Sequence, residues 1–274
     1  MRRFGPAERV AKRPPLATLI AADAPADLAA PRLFRGARVV ATISKQAGPV
    51  PVQLRDNTST SFGIDILPGY EPALPVRFTN LIASGRAEVL RLLGVRDALL
   101  SAMEGKRAPP SAALEPFAEP FAGSRLFRVR EPLPRAYVAV AATLLSDEES
   151  LAAAFAPDVL DGRRALVADT TIRLFSNAAQ RGNCRLERYR SDQLIATCST
   201  AGPGLAVFVE QWAPGWEATV DGVAAPVVRA NITCRAVPIP LGTHRVVLRY
   251  TPPGLFAGLT VSVLTALIIL GCLL

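Results

Sequence analysis

Histidine is almost missing from this chain: His244 is the only one, and the four cysteines include no CxxC pair. Zinc centres draw on clustered cysteine and histidine at short, regular spacings, so the composition argues against one. Lysine is nearly as scarce. Only Lys12, Lys45 and Lys106 are lysines, so arginine carries almost all of the positive charge behind the net +8. An excess of arginine and alanine suggests a GC-rich bacterial genome, and arginine is discounted as a functional signal for that reason. The basic residues form no dense run and are not interleaved with aromatics, which argues against nucleic acid as a partner. There is no internal repeat. Near the N-terminus the one apolar run, residues 16–22, follows Pro14 and Pro15 and is too short for a cleavable leader, despite the basic Met1-Arg2-Arg3 start. After Gly254 there is no charged residue at all.

Hydrophobic residues make up 50% of the 274 positions, enough for one large or two modest domains and a span. Residues 1–35 are rich in proline, alanine and charge and read as an arm or linker. Residues 36–178 read as an α+β domain. Strands are expected at 38–43, 62–70, 95–100, 125–129, 134–143 and 164–168, with helical spacing over 75–84 and 86–93 and a stop at Gly94. Ser146 and Glu149 form a capping box ahead of a short helix. From residue 179 to 253 the pattern is nearly all strand, and it reads as an antiparallel β-sandwich. Cys184 and Cys198 flank a hairpin that turns near Ser191. They can bridge in an oxidising compartment, or serve as small buried hydrophobes. Residues 204–212 alternate like a strand, the pair Asp221-Gly222 is a strong hairpin signal, and residues 244–250 place His244, Val246, Leu248 and Tyr250 on one face. Residues 254–274 read as a transmembrane helix, and 255–274 would span roughly 30 Å, about a bilayer's hydrocarbon core.

One stretch carries a family signal. QWAPGWEATVDG at 211–222 is followed by RAN at 229–231, RAVPIPLGTH at 235–244 and YTPP at 250–253, ahead of the apolar segment. Upstream, Asn57 through Gly63 to GYEP at 69–72, LLGVR at 92–96 and LPRAY at 133–137 continue the pattern. Over residues 55–274 the chain resembles the extracytoplasmic part of YfhO-type bacterial membrane proteins, relatives of the GT-C glycosyltransferases. The resemblance implies a parent that moves a sugar from a polyprenyl-phosphate donor to a cell-envelope acceptor. Such proteins carry many membrane helices before this region, with the catalytic acid on an early loop. This sequence has neither, so it reads as a split gene, a truncated gene or an excised piece, and not as a transferase by itself. No cofactor is expected. The implied partners are the lipid bilayer, a multi-span subunit encoded upstream and a cell-envelope glycan. The implied location is the bacterial inner membrane with the soluble part periplasmic. Taken without the resemblance, a body with a single C-terminal span would face the cytoplasm. Charge flanks only one side of the span, at Arg245 and Arg249, so the positive-inside rule does not decide.

The candidate binding residues are Tyr70, Glu71, Trp212, Trp216, Arg235 and His244. Trp212 and Trp216 flank a turn. They read first as core or turn packing, and second as a platform for a sugar's C–H face. Arg235 can hold a carboxylate or phosphate, or pair across strands with Glu217. A lone histidine at a strand start reads as a hydrogen-bonded structural group. Tyr70 and Glu71 sit in a turn that would meet an acceptor glycan. Asp147, Glu148 and Glu149 resemble paired carboxylates for acid–base work, but the capping box explains them. Asp221 is turn chemistry. Gly254 and Gly258 leave room for a second helix. Two rival readings remain open: a membrane-anchored β-sandwich that binds carbohydrate or protein, and a fragment with no function of its own.

Overall fold

The computed structural model describes residues 32–35, 65–67, 74–101, 112–118, 124–168, 175–176 and 181–273. The arm up to residue 31, the strand expected at 38–43, and Tyr70 and Glu71 lie outside them.

Two sheets organise the described residues. The smaller contains β1 (Arg32–Arg35), β2 (Asp65–Leu67), β3 (Asp97–Ser101), β4 (Leu114–Ala118) and β5 (Ser124–Val129), in the order β2-β1-β3-β5-β4. Arg32–Arg35 falls in the stretch read as linker, yet β1 pairs in parallel with both β2 and β3. Helices α1 (Val76–Ala83) and α2 (Glu88–Leu92) lead into β3 and bury Phe78, Leu81, Val89, Leu90 and Leu92. Gly94 ends this helical run at φ +62, and a Cβ there would stand 2.9 Å from the carbonyl oxygen of Leu133. Both facts demand glycine.

The larger sheet has eleven strands. They are β6 (Ala136–Ala139), β7 (Ala141–Leu144), β8 (Arg164–Val167), β9 (Gly182–Tyr189), β10 (Gln193–Thr200), β11 (Gly204–Gln211), β12 (Trp216–Val220), β13 (Val223–Ala225), β14 (Val228–Ala230), β15 (Cys234–Ile239) and β16 (Gly242–Tyr250). Their order is β13-β12-β16-β10-β9-β6-β11-β15-β14-β8-β7. β7 and β8 run parallel, and the short helices α3 (Asp147–Ala153) and α4 (Pro157–Leu160) make the crossover such a pair requires. Ser146 caps α3: its Oγ accepts from the backbone N–H of Glu149, whose carboxylate accepts from the Ser146 backbone.

The expected sandwich is one sheet curled over on itself. β12 and β15 are separated in the hydrogen-bonded order by β16, β10, β9, β6 and β11. Yet the guanidinium of Arg235 on β15 lies 3.7 Å from the ring centroid of Trp216 on β12. The reason the two layers do not part is β6. It pairs with β9 on one side and β11 on the other, so backbone hydrogen bonding runs unbroken between them. Because β6, β7 and β8 precede residue 178, this sheet crosses the division placed there.

β11 shows where the core sits. Leu205, Val207 and Val209 pack on one side with α1, α2 and Tyr137, while Ala206 and Phe208 pack inside the curl with Val237, Val246 and Leu248. Burying an aliphatic or aromatic side chain of this size contributes about 1.5–3 kcal/mol. After β16 comes α5 (Leu255–Leu273). Its side chains are described to Leu270, and all of those are exposed. Among the described residues no helix is long and apolar enough to cross a membrane.

Candidate functional site

Strand alternation builds a polar mouth at one end of the curl. On β12 the inward face that carries Ala218 begins at Trp216; on β16 the face of Val246 and Leu248 ends at Tyr250. On β15 the face of Val237 and Ile239 begins at Arg235, and on β11 the face of Ala206 and Phe208 ends at Glu210. Trp216 pairs with Tyr250 across the strands, and their rings stand 5.2 Å apart. Tyr189 closes β9, and Arg135 leads into β6.

These side chains form a network. Arg135, 7% exposed, donates from Nη1 to Asp65 Oδ2 at 2.9 Å, and its Nη2 lies 3.1 Å from Glu210 Oε1. Nη2 also donates to the hydroxyl of Tyr189, which donates in turn to Glu210 Oε1 at 2.7 Å. Both carboxylates therefore gather on Arg135. Arg235 is 6% exposed, and its Nε and Nη1 are enclosed with no hydrogen-bond partner among the described residues. Desolvation draws its pKa down to about 10, against the opposing pull of nearby Glu210. Each enclosed, unpaired polar group of this kind costs about 1–3 kcal/mol, and more when it belongs to a charge. The contact with the Trp216 ring offsets part of that cost.

Of the residues singled out from sequence, Trp216 and Arg235 meet here. Glu217 does not join Arg235. It follows Trp216 and so points to the opposite face, where it stands across from Arg249. Trp212 is half-buried in the turn after β11, and its backbone N–H donates to Thr233 O at 2.6 Å. His244 is at the far end of β16. Its Nδ1 lies 2.7 Å from Asp221 Oδ2 and its Nε2 3.0 Å from the Leu241 carbonyl. Its pKa is raised, first by the Asp221 hydrogen bond, and that of Asp221 is lowered, first by the same bond. Cys184 and Cys198 stand directly opposite each other on β9 and β10 and are joined in a disulfide. Asp147 bonds to Arg229 across the chain and lies 3.6 Å from Arg77, while Glu149 closes the capping box.

Sequence reading did not single out Arg135, Tyr189 or Glu210. The available signals were faint: Arg135 inside LPRAY, and a carboxylate at the end of an apolar strand. It also passed over Asn231 as a structural anchor. Asn231 is 1% exposed at φ 46; its Oδ1 accepts from the Leu166 backbone at 3.0 Å, and its Nδ2 donates to the Tyr137 hydroxyl at 2.8 Å. Beside the mouth, an open groove of about 990 Å³ is lined by Trp216, Glu217, Pro226, Arg245, Val247 and Arg249 among others. Among the described residues no group of three or more histidine, cysteine, aspartate or glutamate side chains is placed to hold a metal ion.

Residues 170–262 match the family model described as bacterial membrane protein YfhO. The match covers less than half of the chain, but it takes in β9 to β16 and all of the mouth except Arg135 and Asp65. No curated protein and no solved structure matches the chain.

Proposed function

With the YfhO match as premise, we propose that this chain is the non-catalytic, extracytoplasmic portion of a bacterial membrane protein, held to the inner membrane by α5. The parent would transfer a sugar from a polyprenyl-phosphate donor to a cell-envelope acceptor, and the curled sheet would shape the acceptor side. A multi-span subunit is the expected partner. The observation that carries the reading is α5. It follows the last strand of the matched region after a short Pro252-Pro253 turn and presents large apolar side chains on every side, from Val263 at 50% exposed to Phe256 at 72%. In water such a surface is costly, and in hydrocarbon it is at home. The described part of α5 is not by itself long and apolar enough to cross a membrane. The charge-free sequence runs on to Leu274, however, and twenty such residues in helix would rise roughly 30 Å, about the depth of the hydrocarbon layer. The Cys184–Cys198 disulfide supports the oxidising side of the membrane.

The test is a pair of reporter fusions after residue 150 in the full-length gene, expressed from its own locus. Active alkaline phosphatase with dark cytoplasmic fluorescent protein is the expected result. The reverse pattern would overturn the placement. A second reading, a membrane-anchored module that binds carbohydrate or a partner protein, has the groove beside Trp216 in its favour. Against it, one face of the Trp216 ring is already covered by Arg235. Glycan binding by the full chain that is lost in Trp216→Ala with the fold intact would support this second reading.

A further inference from the structure

We propose that Arg235, backed by the ring of Trp216, receives a phosphate group at the mouth of the curled sheet. Arg235 is more than nine-tenths buried, and Nε and Nη1 have no hydrogen-bond partner among the described residues. A charged fork held in this state is poorly explained as a stabilising element, because an apolar side chain of similar size would fill the place at less cost. It is well explained as a receptor. A guanidinium held flat against an aromatic face keeps its plane fixed, and parallel N–H groups suit two oxygens of one phosphate. Nearby Glu210 pairs with Arg135 and makes no hydrogen bond to the enclosed Nε and Nη1 of Arg235, which leaves the fork available. Nη2 is not enclosed as the other two nitrogens are, so it is the edge an anion meets first. Engaging Nη1 alongside it needs side-chain movement at the rim, where Trp216 and Tyr250 are half-buried.

The position favours phosphate over other oxyanions. Tyr250 pairs with Trp216, and α5 begins at Leu255. If α5 enters the bilayer, the mouth is one short turn from the headgroup layer, where phosphate is the abundant oxyanion. The lipid source therefore rests on the proposed anchoring. The arginine–phosphate contact does not.

The experiment uses the full chain carrying Trp212→Phe, so that Trp216 is the sole tryptophan and reports on the guanidinium against its face. In one arm the chain in non-ionic detergent is titrated with inorganic phosphate. In the other it is placed in nanodiscs of phosphatidylcholine with and without phosphatidic acid. A saturable change in Trp216 emission in either arm supports the site. A response in the nanodisc arm alone assigns it to lipid headgroups, and one in detergent assigns it to free phosphate. Arg235→Met and Arg235→Lys should each weaken the response on the order of tenfold or more. Arg235→Met should keep or raise the thermal midpoint, which a merely structural arginine would not allow. Flat emission in both arms with Arg235 present overturns the proposal even if neither variant folds, and so does a response that survives Arg235→Met unchanged. A chain that does not enter nanodiscs defeats the anchoring while the detergent arm still reads Arg235.

Discussion

His244 is held by acceptors at both ring nitrogens, so the doubly protonated imidazolium suits its position on β16 better than the neutral ring. Its folded pKa is raised, so its stabilising contribution is fully present below about 6.5 and is lost as pH rises through the higher folded value. Asp221 is lowered, so its contribution is present above about 3.9 and fades as pH falls through the folded value. The pair is therefore most effective between those two pH values. Asp221→Asn should bring the His244 titration midpoint, followed by NMR, back toward about 6.5; an unmoved midpoint would contradict the pairing. Asn231 is held more tightly. Asn231→Ala strands the Tyr137 hydroxyl and the Leu166 N–H inside the core and puts a residue less tolerant of positive φ than asparagine at φ 46. A loss of about 2–4 kcal/mol in denaturant unfolding is expected.

At the scale of elements, the β9–β10 hairpin is pinned by Cys184 and Cys198, which are 14 residues apart in sequence. Closing a loop of that length stabilises by about 3 kcal/mol, chiefly through the unfolded chain. Cys198→Ser should lower the unfolding midpoint by a corresponding amount and speed amide exchange in β9 and β10. A reductant-insensitive midpoint in the wild-type chain would count against this. This hairpin, the α3 capping box and the Asp221-Gly222 turn were legible because each is settled by residues close in sequence. The Asp221-Gly222 turn has φ of 52 and 86 at its two residues, as a tight hairpin turn requires. β11 was harder. Its run from Gly204 to Val209 reads as an alternating strand, but both of its faces are buried, because the inside of the curl covers one and the helical layer the other.

For the whole molecule, the proposed anchoring makes α5 sensitive to charge. Leu264→Arg places a guanidinium near the helix centre, where insertion costs about 2.5–3.5 kcal/mol. The variant should shift from the alkaline-carbonate-resistant fraction to the extractable one. Equal partitioning of variant and wild type would count against a bilayer-spanning α5.

What the sequence determined by itself is what local chemistry dictates: strands and turns after residue 181, the caps and stops of the short helices, and a charge-free apolar C-terminal segment. What only the tertiary structure decided is how distant strands meet. One sheet curls where two were expected, because β6, drawn from upstream of residue 178, joins β9 to β11 by hydrogen bonds. The mouth follows from the same curl. Arg135, Tyr189, Glu210, Trp216 and Arg235 come from five strand ends, and no spacing along the chain announces them. Side-chain alternation fixes which face each residue takes, but the partner across the core depends on how the sheet closes, and that is set by packing of the whole molecule.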